Sequence, residues 1–245
     1  MVNNREAMDK GKKEAVISMF DSIAWRYDFL NHLLSFGFDR YWRRNAIKAI
    51  SLIQKNPKNI LDVATGTGDL AIAAMRLKPL KVTGVDISAK MLETGREKVR
   101  RKGFTEEIDL IECDIEKTSF RENIFDVVMV AFGVRNFSDP VRGLKEMYRV
   151  LRGDGTLMIL EFSKPSGSLF KQVYDFYFMK ILPVAGRIFS RNRSAYRYLP
   201  DSVMQFPDNE SFIELLEKAG FTEIGQKKMT GGIVSIYTGI KPQVQ

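Results

Sequence analysis

The sequence predicts an α/β fold built on one doubly wound, mostly parallel sheet. Between residues 59 and 162, apolar runs typical of buried strands alternate with amphipathic helical segments, a pattern that favours parallel strands with helices on both faces. The first strand leads directly into the glycine turn Gly66-Thr67-Gly68, and a helix follows it. Near the end of the chain, the short Thr230-Gly231-Gly232 join predicts an antiparallel hairpin, so one strand of the sheet opposes the rest.

The elements follow in order from the hydrophobic pattern. The first ten residues are polar and we expect them to be mobile, whereas residues 12–53 have the spacing of amphipathic helices, the second of them at 40–53. The sheet region then predicts strands near 59–63, 81–85, 108–112, 125–131 and 155–162, with helices near 69–77, 88–102 and 139–151.

The last third of the chain interrupts this alternation. Residues 164–206 are rich in Phe, Tyr and Arg and predict a helical insertion broken at Pro183 and Gly186. A helix at 209–219 and strands near 221–229 and 232–240 complete seven strands. We therefore expect one domain over residues 1–245, with residues 1–55 as a helical lid and 164–206 as a second helical cap.

Composition excludes several classes of protein. A single cysteine, Cys113, rules out an internal disulfide, and without a Cys/His cluster no metal site is expected. The sequence shows no signal peptide and no apolar run long enough to span a bilayer, so we expect a cytoplasmic protein, with any membrane contact peripheral at the inner face. The net charge of +8 suits an anionic surface, a nucleic acid or simple solubility.

The glycine turn and its flanking acids indicate the cofactor. Gly66 and Gly68, with Asp86 ending the next strand, match a dinucleotide fingerprint and leave NAD open. Asp62 precedes the glycines, where a carboxylate would repel a pyrophosphate but hold an amino group. Asp114 ends the third strand and suits an adenine amino group. With the closing hairpin, these acids favour S-adenosylmethionine and the Rossmann-like class I methyltransferase fold.

Four sequence blocks carry a family resemblance. Residues 27–35 (YDFLNHLLS), running on to Trp42, and residues 149–155 (RVLRGDG), continuing to EFS, are similar to the two signatures of the UbiE/COQ5 C-methyltransferases of menaquinone and ubiquinone biosynthesis. Residues 132–136 (FGVRN) and 194–199 (SAYRYL) resemble further blocks. Departures from the family pattern stand at Leu30, Asp39, Gly153-Asp154 and Ala131, and only Ala131 removes a cofactor hydrogen bond, worth about 1 kcal/mol.

The resemblance implies methylation of a ring carbon on a polyprenylated quinol, with cofactor contacts at Thr67, Asp86, Asp114 and Ile115. The favoured substrate is 2-demethylmenaquinol, and a ubiquinone-type benzoquinol stays open. An aromatic carbon beside a protonated phenol is a poor nucleophile, so the site needs oxyanion stabilisation and a proton acceptor. Arg135 is expected to steady the phenolate and Asn136 to orient it. Structural pairing of Arg135 with Asp139 or Glu161 is the alternative.

The other catalytic positions are less determined by the sequence. Tyr27 completes the predicted catalytic set as part of a lid that excludes water, together with Asp28. His32, the single histidine, is a weaker candidate for the base than a water held by Arg135 and Asn136. Apolar residues of 168–206 predict a channel for the isoprenoid tail, and basic residues there predict contact with anionic headgroups.

Three other functions compete with this prediction, and an NAD oxidoreductase, which the glycine turn leaves open, is the first of them. A nucleic-acid methyltransferase is disfavoured because the fourth strand ends in AFGVRNF rather than in an amino-methylating or Pro-Cys block. No nucleic-acid partner is therefore expected. A non-catalytic protein that binds S-adenosylmethionine within a quinone-biosynthesis assembly stays open, as does a homo-oligomer.

Overall fold

The computed structural model describes residues 2–165 and 193–243. Its sheet has seven strands in the order β3-β2-β1-β4-β5-β7-β6. β7 is antiparallel to both neighbours, β5 and β6, while the pairs among β1 to β5 are parallel, which confirms the predicted fold class. The strands are β1 (Asn59–Val63), β2 (Lys81–Asp86), β3 (Ile108–Glu112), β4 (Phe125–Ala131), β5 (Leu151–Phe162), β6 (Thr222–Met229) and β7 (Val234–Ile240).

Eight α-helices surround this sheet within the described ranges. They are α1 (Val2–Ile23), α2 (Tyr27–Leu34), α3 (Phe38–Ile53), α4 (Asp69–Ala74), α5 (Ala89–Lys102), α6 (Pro140–Val150), α7 (Arg193–Gln205) and α8 (Glu210–Lys218). Predicted boundaries agree within a few residues, and β5 starts four residues earlier than expected. Much of the predicted insertion, residues 166–192, lies outside the described residues.

The polar N-terminal segment is helical, since α1 begins at Val2, and its mobility stays a prediction. The segment NNREAMDK contains no proline and includes Arg, Glu, Ala, Met and Lys. Those residue types have good helix propensity whatever their polarity. The first helix is therefore 22 residues long and reaches across the carboxyl edge of the sheet.

The core has one apolar layer on each face of the sheet. Alternate strand residues point to opposite faces, so Leu61 and Val63 pack with α6 and α8, whereas Ile60 packs with α3, α4 and α5. β4 shows the same alternation and is buried along nearly its whole length. Because both faces are covered, the carboxyl edge of the parallel strands is the part of the sheet that is left to form a site.

Candidate active site

The three acids singled out in the sequence meet at the carboxyl edge of the sheet. β1 lies between β2 and β4, with Val63 in register with Val85 on one side and Val130 on the other. Asp62 therefore ends next to Asp86, and Asp114 follows the end of β3 on the far side of β2. The parallel register thus brings together acids that are separated by more than 20 residues in the sequence.

The glycine turn between β1 and α4 has the conformation that glycine favours. Gly66 and Gly68 have φ values of 54° and 78°, in the left-handed region. The Gly66 amide donates to Asp86 Oδ2 at 2.8 Å, and the Thr65 amide donates to the carbonyl of Val85 at 2.9 Å. The end of β2 therefore fixes the shape of the turn through the backbone.

Asp62 is a buried carboxylate with one oxygen left over. Its side chain is 1% exposed, and Oδ2 accepts a hydrogen bond from the Thr65 hydroxyl at 2.6 Å. Oδ1 has no hydrogen-bond partner among the described residues. Burial raises the pKa of Asp62 to about 7, although the Thr65 hydroxyl acts in the opposite direction. An orphaned carboxylate oxygen of this kind fits a cationic amino group, which would restore its lost interactions.

A cavity adjoins this oxygen. It is lined by Asp62, the glycine turn, Asp69, Arg43 and Tyr27, and its open space amounts to about 420 Å³. Arg43 Nη2 pairs with Asp39 and, at 3.0 Å, with Asp69 Oδ2, so the cavity has a cation on one wall and carboxylates on the others. That mixture of charges fits a zwitterionic group such as an amino acid.

The second cavity lies on the other side of the glycine turn and is larger, about 680 Å³ with its open mouth included. Asp86 Oδ1 accepts from the Ser88 amide at 2.9 Å, and burial raises the pKa of Asp86 against its backbone hydrogen bonds. Asp114 and Ile115 stand opposite, and Met91 and Phe137 are among the apolar lining residues. Carboxylates on two sides, with apolar side chains between them, suit a nucleoside.

The two cavities form one elongated cleft. Both are lined by Tyr27, Ala64, Gly66, Ala131 and Phe132, and Tyr27 and Gly66 face each other where the cavities meet. Six of the seven predicted cofactor residues line the cleft: Asp62, Gly66, Thr67, Asp86, Asp114 and Ile115. Gly68 instead shapes the turn and packs against Leu110 and Val99.

The N-terminal helices cover the cleft through polar contacts. Asp28 Oδ1 accepts from the Thr67 hydroxyl at 2.5 Å, and Asp28 Oδ2 pairs with Lys98 at 2.5 Å. Asp21 accepts from the Ser88 hydroxyl at 2.6 Å. Helices α1 and α2 therefore contact residues at the cleft, with Asp28 in one of these contacts, and the lid over residues 1–55 stays a prediction.

Lys13 makes a lid contact that the sequence did not reveal. Its ammonium pairs with Asp114 Oδ2 at 2.5 Å and Glu116 Oε2 at 3.0 Å. Burial lowers the pKa of Lys13, but the hydrogen bonds to Asp114 and Glu116 outweigh it, so the net direction is upward. No sequence signal could have shown this contact, because it joins residues 101 apart whose meeting depends on the packing of α1.

Arg135 and Asn136 sit in the short helical turn after β4, beside the cleft. Arg135 Nη1 pairs with Glu161 Oε1 at 2.7 Å and donates to the Phe132 carbonyl, which is the structural pairing that the sequence left open. Burial raises the pKa of Glu161, and Arg135 acts against that rise. Asp139 caps α6 instead. Arg135 lines neither cavity, and its Nε is buried with no hydrogen-bond partner among the described residues.

Asn136 and two tyrosines complete this side. Asn136 lines the larger cavity, and its Oδ1 accepts from the Tyr198 hydroxyl of α7 at 3.0 Å. Burial raises the pKa of Tyr27 and of Tyr198, so both phenols stay protonated at neutral pH and act as donors rather than bases. His32 lines neither cavity; its ring is bound to Asp39 at 3.0 Å.

Comparison with known proteins decides the family. The model of the ubiE/COQ5 methyltransferase family matches residues 8–241. The chain belongs to this family. It is 50% identical over 232 residues to the ubiquinone/menaquinone biosynthesis C-methyltransferase UbiE of Geotalea uraniireducens, covering 94% of this chain and 97% of that protein. It is 44% identical over 234 residues to the demethylmenaquinone methyltransferase of Bacteroides fragilis, covering 95% of each.

Solved structures agree on the fold. A methyltransferase from Thermotoga maritima, described as dependent on S-adenosylmethionine, superposes with a TM-score of 0.63 at 19% identity, covering 92% of this chain and 99% of that one. A second, from Methanococcus maripaludis, gives 0.64 at 17% identity over 92% and 94% of the two chains. As a ubiE/COQ5 methyltransferase with this fold, the chain uses S-adenosyl-L-methionine, and the orphaned Asp62 oxygen and the glycine turn fit that cofactor.

Among residues 2–165 and 193–243, no group of three or more His, Cys, Asp or Glu side chains is placed to hold a metal ion. None of the helices in those ranges combines the length and apolar character needed to cross a membrane.

Proposed function

We propose that this chain transfers a methyl group from S-adenosyl-L-methionine to a ring carbon of 2-demethylmenaquinol, giving menaquinol. The observation that carries the proposal is similarity over 95% of the chain to the Bacteroides fragilis enzyme, which is named for demethylmenaquinone, together with the acid-lined cleft. The name of the Geotalea relative covers both quinone pathways, so a ubiquinone-type benzoquinol is the second candidate substrate.

The residues for the methyl donor follow from the two cavities. Asp62 would hold the amino group of the methionine moiety, since its free oxygen is buried and needs a donor. Arg43 lines the same cavity as Asp62 and suits the carboxylate of that moiety. Asp86 would take the ribose hydroxyls, and Asp114 with Ile115 would take the adenine. When bound, the cofactor supplies an electrophilic methyl group on a sulfonium centre.

The acceptor side is assigned to the turn after β4. A phenol with a pKa near 10 must lose its proton as the neighbouring ring carbon attacks. Arg135 would stabilise the developing phenolate by its positive charge from beside the cleft, while Glu161 holds the guanidinium in place. Asn136, oriented by Tyr198, would position the phenol oxygen. Because Tyr27 and Tyr198 stay protonated, a water between Arg135 and Asn136 is the proposed proton acceptor.

The same proposal covers the partners and location of the protein. A polyprenylated substrate resides in a bilayer, so we propose a cytoplasmic enzyme that contacts the inner face of the membrane peripherally. Assembly into a homo-oligomer is proposed without a defined interface.

The test supplies labelled S-adenosylmethionine with short-chain demethylmenaquinol or with the matching benzoquinol, each in reduced and oxidised form. We expect label in the reduced naphthoquinol, and none in the oxidised forms, which carry no phenol to activate the ring. Label in the benzoquinol alone would show that the substrate is the benzoquinol and not demethylmenaquinol. Binding of the cofactor without transfer to either quinol would show a non-catalytic protein and refute the proposal.

A further inference from the structure

The helix that carries Tyr27 presents its apolar residues to solvent. Trp25, Phe29, Leu33 and Phe36 recur at intervals of four, four and three residues, so they share one face of α2 and its flanking turns. Their exposures are 71%, 60%, 39% and 74%. A soluble helix ordinarily buries such a face, as α6 and α8 do in this chain, so the exposed side chains of Trp25, Phe29 and Leu33 leave apolar surface on α2 for a partner.

The apolar surface continues onto the first turn of α3. Phe38 and Tyr41 are about half exposed, with their rings in edge contact at 6.5 Å between centroids. We name the six residues Trp25, Phe29, Leu33, Phe36, Phe38 and Tyr41 the aromatic corner. Phe38 also stacks on Trp42, whose ring meets that of Phe132 at 6.0 Å. Since Phe132 lines both cavities, a chain of aromatic rings joins the aromatic corner to the cleft.

The charges around the aromatic corner have one sign. Between residues 22 and 44, Arg26, Arg40 and Arg44 are exposed, and the Arg26 guanidinium lies over the Trp25 ring, 3.8 Å from its centroid. The two acids of the same segment are engaged elsewhere: Asp28 pairs with Lys98, and buried Asp39 pairs with Arg43 and hydrogen-bonds to His32. The corner is therefore a patch of Trp, Phe, Tyr and Leu side chains fringed by arginines.

We propose that the aromatic corner is the surface by which this protein seats in the headgroup region of an anionic bilayer. Tryptophan and tyrosine favour the membrane interface, phenylalanine and leucine enter its apolar boundary, and arginines are attracted to anionic lipids. This inference rests on the proposed function, because the quinol substrate gives the reason for membrane contact. A quinol that leaves the bilayer at the aromatic corner would lie beside the cleft. It places the membrane contact on residues 25–41, in addition to the insertion that the sequence suggested.

Charge also argues against a second copy of the chain as the partner. A symmetric dimer through the aromatic corner would bring Arg40 and Arg44 of one copy near those of the other, while the acids of the segment, Asp28 and Asp39, are already paired with Lys98 and Arg43. An anionic lipid surface meets the same arginines with opposite charge.

The test measures co-sedimentation with vesicles of phosphatidylcholine alone or mixed equally with phosphatidylglycerol. We expect binding to the mixed vesicles, at least tenfold weaker binding for the triple variant Trp25→Ser, Phe29→Ser, Phe36→Ser, and loss of the anionic preference for Arg40→Gln with Arg44→Gln. The matched control is Leu52→Ser with Leu80→Ser, which removes exposed leucines outside the corner (70% and 69% exposed) and is expected to bind like the original chain.

Tryptophan fluorescence reports on the free surface in the same samples. Trp42 is 4% exposed and donates a hydrogen bond to Thr230, so iodide quenching of the vesicle-free protein reports Trp25. We expect strong quenching that mixed vesicles suppress. Protection of Trp25 without vesicles, either in a monomer or in a dimer detected by sedimentation velocity, would mean that protein already covers the corner and would overturn the proposal. Equal vesicle binding by the triple variant would overturn it as well.

Failure of the proposed function would give a different result from failure of the membrane proposal. Methyl transfer to a short-chain, water-soluble quinol in the absence of vesicles tests the reaction alone, and the triple variant is expected to match the original chain there. Loss of vesicle binding with soluble activity intact separates the membrane surface from the chemistry.

Discussion

The floor and the lid of the cleft are held by different forces. On the floor, the sheet edge fixes Asp86 through the backbone amides of Gly66 and Ser88, and Asp62 and Glu161 are buried. On the lid, helices α1 and α2 are held by partly exposed side chains, such as Asp28 against Lys98. Exposed ion pairs contribute about 0–1 kcal/mol each, whereas buried groups are costly to disturb. The difference predicts a preformed floor and a lid that opens at a lower cost than the floor is disturbed.

The largest expected effect lies in the floor. Arg135→Met leaves Glu161 buried without its cation, and breaking a buried pair in this way costs about 3–5 kcal/mol. We expect that loss in the free energy of unfolding, measured by urea denaturation, together with loss of methyl transfer. The double variant Arg135→Met with Glu161→Gln should recover much of the stability but none of the activity. A double variant with full activity would remove Arg135 from the proposed chemistry.

Asp86→Asn tests the next part of the floor. The amide keeps the shape of the side chain but turns one acceptor of the carboxylate into a donor, which faces the Gly66 or Ser88 amide. Hydrogen bonds to a charged group are worth about 1.5–3 kcal/mol, so we expect cofactor affinity to fall by about 10- to 100-fold in calorimetry. The control is Glu112→Gln, the residue in register with Asp86 on β3 but absent from the lining of both cavities. Equal affinities of the two variants would contradict a preformed floor.

Asp62 gives the floor a pH dependence. Its pKa of about 7 means that the free carboxyl protonates as pH falls below neutrality, and the protonated form cannot pair with an ammonium. We expect cofactor affinity to decrease as the pH falls below about 7, with the loss approaching tenfold per pH unit. Asp62→Asn should bind more weakly at about pH 8 and show a flatter profile. A pH profile shared by both proteins would assign the titration to another group.

The same shift predicts the pH dependence of stability. Because the folded pKa of Asp62 lies above the unfolded value of 3.8, its stabilising contribution is fully present below about pH 4 and is lost as pH rises through about 7. Asp62→Asn cannot ionise, so the free energy of unfolding of the variant relative to the original chain should improve across that interval. A constant difference between the two proteins would contradict the burial of a titrating Asp62.

The smallest effect belongs to the lid. Asp28→Asn removes the charge that pairs with Lys98 but keeps an acceptor for the Thr67 hydroxyl. We expect cofactor dissociation, followed by stopped flow, to accelerate only about two- to fivefold, in line with a partly exposed pair. The exposed pair of Lys218 and Glu214 supplies the control, since Glu214→Gln should leave the rate unchanged. A hundredfold acceleration would show that the lid, not the floor, holds the cofactor.

The floor was more predictable from the sequence than the lid. Parallel strands leave recognisable apolar runs, and their carboxyl ends must meet, so Asp62, Asp86 and the glycine turn could be placed together in advance. Asp28 was expected in the lid from its sequence block. Lys13, Lys98 and Arg43 were missed, because each acts through contacts between distant segments that leave no periodicity in the sequence. The sequence offered Glu161 only as one of two possible partners of Arg135. The choice between them depends on burial, which the sequence does not reveal.

Hydrogen exchange of the whole chain with and without S-adenosylhomocysteine tests the central claim most directly. We predict slower exchange of the backbone amides at the glycine turn, at residues 86–88 and at residues 114–115, with a smaller protection across α1 and α2. Protection elsewhere, with no change at the glycine turn, would contradict the assignment of the cleft as the cofactor site.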